Sequence, residues 1–206
     1  MSEVDTQAIA DTIETTPGWT EMQKKYQTNE RRGPNKYFGA HAWIKKDLKR
    51  WEELDQAGLI TPNLKVLDIG SGFGYFAIVG MAYTGSNYIE LADVSDPVYD
   101  AVTSVLGLSK YEVDVRAFTL IQIQNNDKRY DLITCYRIVF DKWNGFWEEE
   151  EYRFFLHDLQ SLLNKGGSIV LGFNDRRENK FMKWAAPLGA QWINNHDVLI
   201  PYEVLK

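Results

Sequence analysis

Three glycines at alternate positions, directly after a short apolar run, constrain the fold of this chain more than any other feature. The apolar run at residues 65–69 predicts a buried strand, and the apolar segment after the glycines predicts a helix. Gly70, Gly72 and Gly74 stand between them, where the backbone must turn sharply. Glycine takes positive φ without strain and carries no Cβ, so a ligand can lie directly against its main chain. The sequence therefore predicts a strand, a ligand-facing turn and a helix.

The spacing of these glycines distinguishes between known nucleotide-binding turns. A dinucleotide-binding turn has the pattern Gly-x-Gly-x-x-Gly, and Tyr75 stands where its third glycine belongs. A P-loop has Gly-Lys-Ser/Thr after the glycines, which this sequence lacks. What remains is an acid, Asp68, two residues before Gly-x-Gly-x-Gly. On this motif alone, a tight turn in an unrelated α/β protein stays open as an alternative.

The acid and the glycines resemble motif I of the class I (Rossmann-like) S-adenosylmethionine-dependent methyltransferases. Asp68, Gly70, Gly72 and Gly74 match the positions of that motif one for one. The resemblance implies that the turn, with Ser71 inside it, lies under the amino-acid part of S-adenosylmethionine. It also implies that Asp68 helps to hold the turn and the ammonium group of the cofactor.

Three downstream features follow in the order that this family has. Asp93 closes the second predicted strand, at about the interval where nucleoside-binding α/β folds place an acid for ribose hydroxyls. Residues 130–136 resemble the family's fourth strand, and the Leu-x-x-Gly-Gly at residues 163–167 resembles the entry to its fifth. The resemblance covers roughly residues 64–174. It implies an α/β fold with a doubly wound, mostly parallel sheet and a short antiparallel C-terminal edge.

The family pattern also implies further contacts with the cofactor. Phe118 lies near the end of a third strand predicted over residues 111–119, where relatives flank the adenine. Residues just after the fourth strand lie near the sulfonium and the methyl acceptor in relatives. The additional candidates for cofactor contacts are Val94, Phe118, Tyr136 and Arg137.

The residues before the first strand predict a helical cover. Amphipathic spacing predicts helices at about residues 19–27 and 42–57. Two domains are therefore expected, a cover or lid at residues 1–62 and a cofactor-binding domain at residues 63–206.

Methyl transfer from a sulfonium is an in-line displacement, so positioning and exclusion of water supply most of the rate. A general base is needed only when the acceptor is a hydroxyl or a charged amine. The candidates for such a base are His41 and Tyr37, in the aromatic stretch before the second cover helix, and Asp141. For Tyr37 and His41, packing of the cover onto the domain is the competing interpretation.

Several alternatives remain beside a metal-independent small-molecule methyltransferase. Asp141, Asn174 and Asp175 are oxygen ligands that suit Mg²⁺ in a metal-assisted O-methyltransferase, although acids after strands often cap helices. A cofactor-binding sensor or partner subunit without catalysis is a second alternative. Methylation of nucleobase amino groups is disfavoured, because the Asn/Asp-Pro-Pro-Tyr/Phe motif is missing after the fourth strand.

Charge and cysteine content narrow the partners and the compartment. A formal charge of −6 argues against nucleic acid, whose phosphates require a basic surface, and favours a small-molecule acceptor. The single cysteine, Cys135, cannot form an internal disulfide, which fits a reducing compartment. Since the sequence has neither a signal-peptide pattern nor a run of membrane-spanning length, we expect a cytoplasmic protein.

Overall fold

A computed structural model describes residues 4–26, 37–123, 128–136, 138–143, 145–173 and 178–205. The strands are β1 (Val66–Ile69), β2 (Ile89–Asp93), β3 (Lys110–Glu112), β4 (Tyr130–Cys135), β5 (Asp141–Lys142), β6 (Gly145–Phe146), β7 (Leu163–Gly172), β8 (Gln191–Trp192) and β9 (Asp197–Pro201). The helices are α1 (Thr6–Thr15), α2 (Trp19–Tyr26), α3 (Ala40–Gln56), α4 (Tyr75–Thr84), α5 (Pro97–Val105), α6 (Glu149–Ser161) and α7 (Glu178–Ala185), with 3-10 turns at Ala186–Leu188 and Tyr202–Leu205. No helix among these residues is long and apolar enough to cross a membrane.

Seven of the strands form one mixed sheet in the order β3-β2-β1-β4-β7-β9-β8. The first five in this order are parallel, whereas β9 runs antiparallel to β7 and β8 antiparallel to β9. β5 and β6 form a separate two-stranded hairpin. The predicted mostly parallel sheet with a short antiparallel edge is thus confirmed.

Helices cover both faces of the sheet, as the apolar strands require. One apolar cluster joins Leu67 and Ile133 to the inner faces of α6 and α7. The other joins Val66 and Leu132 to α1 through α5. Because neighbouring residues of one strand enter opposite clusters, the glycine turn after β1 emerges at the end of the sheet between the two helical layers.

The cover helix α3 packs tightly on α4. The Trp51 ring stacks on Phe76, with ring centroids 4.6 Å apart, and its Nε1–H donates to the Phe76 carbonyl oxygen at 2.8 Å. Gly80 permits this contact, since a Cβ there would lie 2.2 Å from the Trp51 ring. Helix α4 accordingly continues through Gly80 to Thr84. The boundary after residue 62 stays a prediction.

The third strand differs from its sequence prediction. β3 ends at Glu112 and pairs only with β2, at the edge of the sheet. Beyond it the chain turns toward α6, where the Ile121 amide donates to the Asp158 carboxylate at 2.6 Å. The strand predicted over residues 111–119 was therefore wrong, because the weak alternation of residues 113–119 finds no second strand to pair with. The hairpin of β5 and β6 was not predicted.

Candidate functional site

The glycine turn docks its main chain on the end of β2. The amides of Gly70 and Ser71 both donate to the Ala92 carbonyl oxygen, at 2.8 and 3.3 Å. Gly70, Gly72 and Gly74 have φ of 75°, 57° and 79°, the left-handed conformation that favours glycine. The turn predicted from the sequence therefore depends on glycine at all three positions.

Two of these glycines face different surroundings. A Cβ on Gly74 would lie 2.6 Å from the Leu108 side chain, so this glycine allows close packing. A Cβ on Gly72 would meet no described atom within 4 Å. The space beside Gly72 is consequently open to a ligand.

Asp93 lies beside this open space, at the carboxyl end of β2. Its Oδ2 accepts a hydrogen bond from the Gly72 amide at 2.6 Å, and its Oδ1 accepts one from the Val94 amide at 2.7 Å. Each carboxylate oxygen can accept more than one hydrogen bond, so these amides orient the group without exhausting it. Asp93 and the glycine turn are thus brought together at one edge of the sheet.

The other residues predicted to contact the cofactor differ in burial and in their distance from the strand ends. Asp68 is buried in β1, where its Oδ1 accepts from the Thr134 hydroxyl at 2.7 Å. Ser71 is buried, and the Val94 side chain is exposed beside Asp93. Phe118 is 55% exposed on the loop after β3 and contacts Phe154 of α6, so it does not stand at a strand end as the sequence suggested.

Tyr136 follows β4 directly and is only 3% exposed. Its ring lies 5.1 Å from the Phe76 ring, and the Arg50 guanidinium lies 4.3 Å from its centroid. Burial raises the pKa of the Tyr136 hydroxyl well above its usual value, and the nearby Asp197 raises it further. The hydroxyl therefore stays protonated at neutral pH. Arg137 lies outside the described residues.

A cavity of about 510 Å³ opens next to Tyr136, and we name it the carboxyl-edge cavity. It lies at the carboxyl ends of β4 and β7, on the side of the sheet where ligands bind in open α/β folds. Its lining combines side chains of α3, residues after the two strands, and the turn between β8 and β9: Lys46, Lys49, Arg50, Glu53, Tyr136, Gly172, Phe173, Asn194, Asn195, His196 and Asp197.

Hydrogen bonds fix the acidic wall of this cavity. The Asn194 Nδ2 donates to Glu53 Oε2 at 2.7 Å and to Asp197 Oδ2 at 2.8 Å. Burial raises the pKa of Asp197, although the Asn194 hydrogen bond and the Arg50 charge act in the opposite direction. Arg50 itself pairs with the buried Asp47 at 2.9 Å. The sequence prediction missed Asp197, which begins the antiparallel strand β9 and carries no motif.

The three candidate bases lie in two regions, with Tyr37 and His41 around the start of α3 and Asp141 on the β5–β6 hairpin. Tyr37 is buried against Trp43 and Phe73, and its carbonyl oxygen accepts from the Tyr75 hydroxyl at 3.0 Å. His41 lies in the first turn of α3, and its buried Nδ1 has no hydrogen-bond partner among the described residues. Asp141 is exposed on the β5–β6 hairpin. The described lining of the carboxyl-edge cavity includes none of these three.

The alternative magnesium site is only partly described. Asn174 and Asp175 lie outside the described residues. Among the residues that are described, no three His, Cys, Asp or Glu side chains are grouped as a metal ion would require.

A second cavity, of about 560 Å³, lies at the opposite end of the parallel strands, where β1, β2 and β4 begin. We name it the amino-edge cavity. Glu90 is its central acid, and its carboxylate accepts hydrogen bonds from Lys128 at 2.5 Å, Tyr130 at 2.6 Å and Tyr111 at 3.3 Å. Burial alone would raise the pKa of Glu90, but the Lys128 and Tyr130 hydrogen bonds lower it by more.

Comparisons with known proteins add relatives in sequence and in structure. No protein-family model matches the chain. The ribosomal protein L11 methyltransferase of Symbiobacterium thermophilum is 28% identical over 130 residues, which are 62% of this chain but only 40% of that protein. A methyltransferase structure from Pyrococcus furiosus matches with a TM-score of 0.53 at 15% identity, covering 76% of this chain and 82% of that one. The magnesium protoporphyrin IX methyltransferase of Synechocystis PCC 6803, solved with bound SAM, matches 98% of both chains with a TM-score of 0.49 at 15% identity.

Proposed function

We propose that this chain, which has the fold of the class I S-adenosylmethionine-dependent methyltransferases, binds S-adenosylmethionine and transfers its methyl group to a small-molecule acceptor. One observation carries the proposal: the Gly72 amide lies 2.6 Å from Asp93 Oδ2, beside a space that no described atom occupies. A glycine turn exposes its main chain, because no Cβ covers it. Next to an oriented carboxylate, such a turn can bind a nucleoside that carries a charged amino-acid group.

The described residues fit this cofactor. The main chain of Gly70, Ser71 and Gly72 would lie under its methionine part, and the Asp93 carboxylate would accept hydrogen bonds from the ribose hydroxyls. The exposed Val94 side chain offers an apolar surface next to that carboxylate. S-adenosylmethionine, when bound, supplies an electrophilic methyl group on a sulfonium.

The contribution of the chain is to position the acceptor and keep water away. Tyr136 contacts Phe76 near the glycine turn and also lines the carboxyl-edge cavity, so it connects the two sites. Its ring is held between Phe76 and Arg50. The sulfide leaving group of this displacement needs no proton from an acid. Holding the cofactor and the acceptor in line at such a junction therefore accounts for much of the rate.

Calorimetric titration with S-adenosylhomocysteine tests the cofactor site. We expect the native protein to bind it, and Gly72→Arg to lose at least about 100-fold in affinity because the new side chain would occupy the open space. Gly85→Arg is the matched control, since Gly85 has φ of 69° and equal room but lies at the end of α4. No binding by the native protein, or equal binding by Gly72→Arg, would contradict the proposal.

Transfer is tested separately with labelled S-adenosylmethionine and a panel of small acceptors. We expect label to appear in at least one of them. Binding without transfer to any would instead favour the sensor or partner-subunit alternative.

A further inference from the structure

We propose that the carboxyl-edge cavity binds the methyl acceptor through a protonated amine, and that Asp197 takes the proton which frees the amine for methylation. This inference rests on the proposed function and names its acceptor class and proton acceptor. It is carried by the charges of the cavity wall and by the position of Tyr136.

The wall of the cavity carries more buried negative than positive charge. The Arg50 guanidinium is matched by the Asp47 carboxylate at 2.9 Å, with both side chains buried. Glu53 and Asp197 share a single neutral donor, the Asn194 amide. Lys49 approaches Glu53 at 3.6 Å, but its side chain is 74% exposed, so the pair contributes little in water. Lys46, the other lysine of the lining, is exposed and lies over the Trp43 ring, so an ammonium group would balance the carboxylate charge that the buried Arg50–Asp47 pair leaves over.

Tyr136 independently indicates a polar ligand. Its side chain is almost completely buried and lines the cavity, and no described residue hydrogen-bonds its hydroxyl. The hydroxyl oxygen is not among the buried polar atoms that lack a partner, so it is open to the cavity as an acceptor. An amine bound beside Asp197 would donate to this oxygen while its charge faces the carboxylate. The same wall thus offers an ammonium group both a hydrogen-bond acceptor, the Tyr136 hydroxyl, and a negative charge, the Asp197 carboxylate.

The chemistry balances as a proton transfer followed by a displacement. Asp197 accepts one proton from the ammonium group, which restores the nitrogen lone pair. The nitrogen then forms a bond to the methyl carbon as the carbon–sulfur bond breaks, and the electron pair of that bond goes to sulfur. The positive charge that sulfur loses appears on the methylated nitrogen, which releases a further proton to solvent.

The surroundings of Asp197 make its carboxylate a better proton acceptor than an exposed one. Burial raises its pKa, and so does Glu53 on α3, whereas Asn194, Arg50 and His196 lower it. Tyr136, after β4, faces it as a neutral phenol because its own pKa is raised. A carboxyl group with a raised pKa retains a proton more readily than an exposed one.

Fragment binding tests the acceptor class. Native protein saturated with S-adenosylhomocysteine is titrated with benzylamine, benzyl alcohol and benzoate, and binding is followed by ligand-observed NMR. We expect benzylamine to bind at least about tenfold more tightly than the other two. Asp197→Asn should remove this preference, and Tyr136→Phe, which keeps the ring contacts, should weaken benzylamine alone.

Two measurements separate the possible failures. The matched control is Asp158→Asn, which changes a half-buried carboxyl on α6 whose pKa burial also raises, and it should retain the benzylamine preference. S-adenosylhomocysteine affinity should stay within threefold in Asp197→Asn and Asp158→Asn. Failure of the native protein to bind S-adenosylhomocysteine would contradict the proposed function. Three results, each with normal cofactor binding, would overturn the amine proposal alone. They are the absence of benzylamine binding, tighter binding of benzyl alcohol or benzoate, and an unchanged benzylamine preference in Asp197→Asn.

Discussion

An acid and a cavity lie at each of the two ends of the parallel strands, the amino edge and the carboxyl edge. The two acids differ in their hydrogen bonds. At the amino edge, Glu90 accepts from the side chains of Lys128, Tyr111 and Tyr130. At the carboxyl edge, Asp93 accepts from main-chain amides and faces the open space beside Gly72. The amino-edge acid is surrounded by donors of the protein itself, whereas the carboxyl-edge acid has room for donors of a ligand.

Cavity size does not reveal this difference. The amino-edge cavity measures about 560 Å³ and the carboxyl-edge cavity about 510 Å³. What separates the two acids is the chemistry around them: side-chain donors surround Glu90, whereas main-chain amides hold Asp93 beside the open space at Gly72. We therefore expect substitutions at the amino edge to change stability, and those at the carboxyl edge to change binding.

Among substitutions of the two acids, the largest effect should come from Asp93→Asn. The amide would replace a charged acceptor of two ribose hydroxyls, and hydrogen bonds to charged groups contribute about 2 kcal/mol, or roughly 30-fold in affinity. Calorimetry with S-adenosylhomocysteine should show at least that loss. Glu90→Gln is the control at the other edge and should bind normally, and a comparable loss there would break the contrast.

Glu90→Gln should instead lower the free energy of unfolding by about 1–2 kcal/mol. The substitution removes the charged acceptor of Lys128, Tyr111 and Tyr130, whose hydrogen bonds join β2 to β3 and β4. Urea unfolding followed by circular dichroism measures the change. Glu112→Gln, at an exposed position at the end of β3, is the matched control and should change stability by less than about 0.5 kcal/mol.

The pH dependence of stability should have opposite signs for Asp197 and Glu90. The folded pKa of Asp197 is raised, so its stabilising contribution is present below its unfolded pKa and is lost as pH rises through the folded value. The folded pKa of Glu90 is lowered, so its contribution is present above its unfolded pKa and is lost as pH falls.

Thermal unfolding measures both contributions. Above about pH 4 the Tm of Asp197→Asn should rise relative to the native protein, whereas that of Glu90→Gln should fall relative to it as pH rises toward about 5 and then stay constant. Parallel curves for the two variants would show that their environments do not differ as described.

The smallest effect should come from the rim of the carboxyl-edge cavity. Lys49→Ala removes an exposed ion pair with Glu53, which contributes less than about 0.5 kcal/mol to stability. Urea unfolding should not distinguish this variant from the native protein. A loss above 1 kcal/mol would mean that Lys49 balances the acidic wall, and this would weaken the charge argument for an amine.

Sequence reasoning recovered those parts of the site that depend on local pattern. The glycine turn and Asp93 follow from spacing along the chain, because strand, turn and acid adjoin one another in a βα unit. Arg50 and Asp197 meet only through the sheet order, which places β9 between β7 and β8 and brings its first residue close to α3. No local signal marks such residues, so the candidate bases fell on Tyr37, His41 and Asp141 instead.

The contact between Trp51 and Gly80 limits how a ligand can reach this site. Ile44, Trp51 and Leu54 of α3 are completely buried, and exposing three such side chains costs about 6 kcal/mol. A state with α3 detached would then be populated in only about one molecule in ten thousand. Helix α3 is therefore a fixed wall of the carboxyl-edge cavity, and a ligand of that cavity has to enter and leave without displacing it.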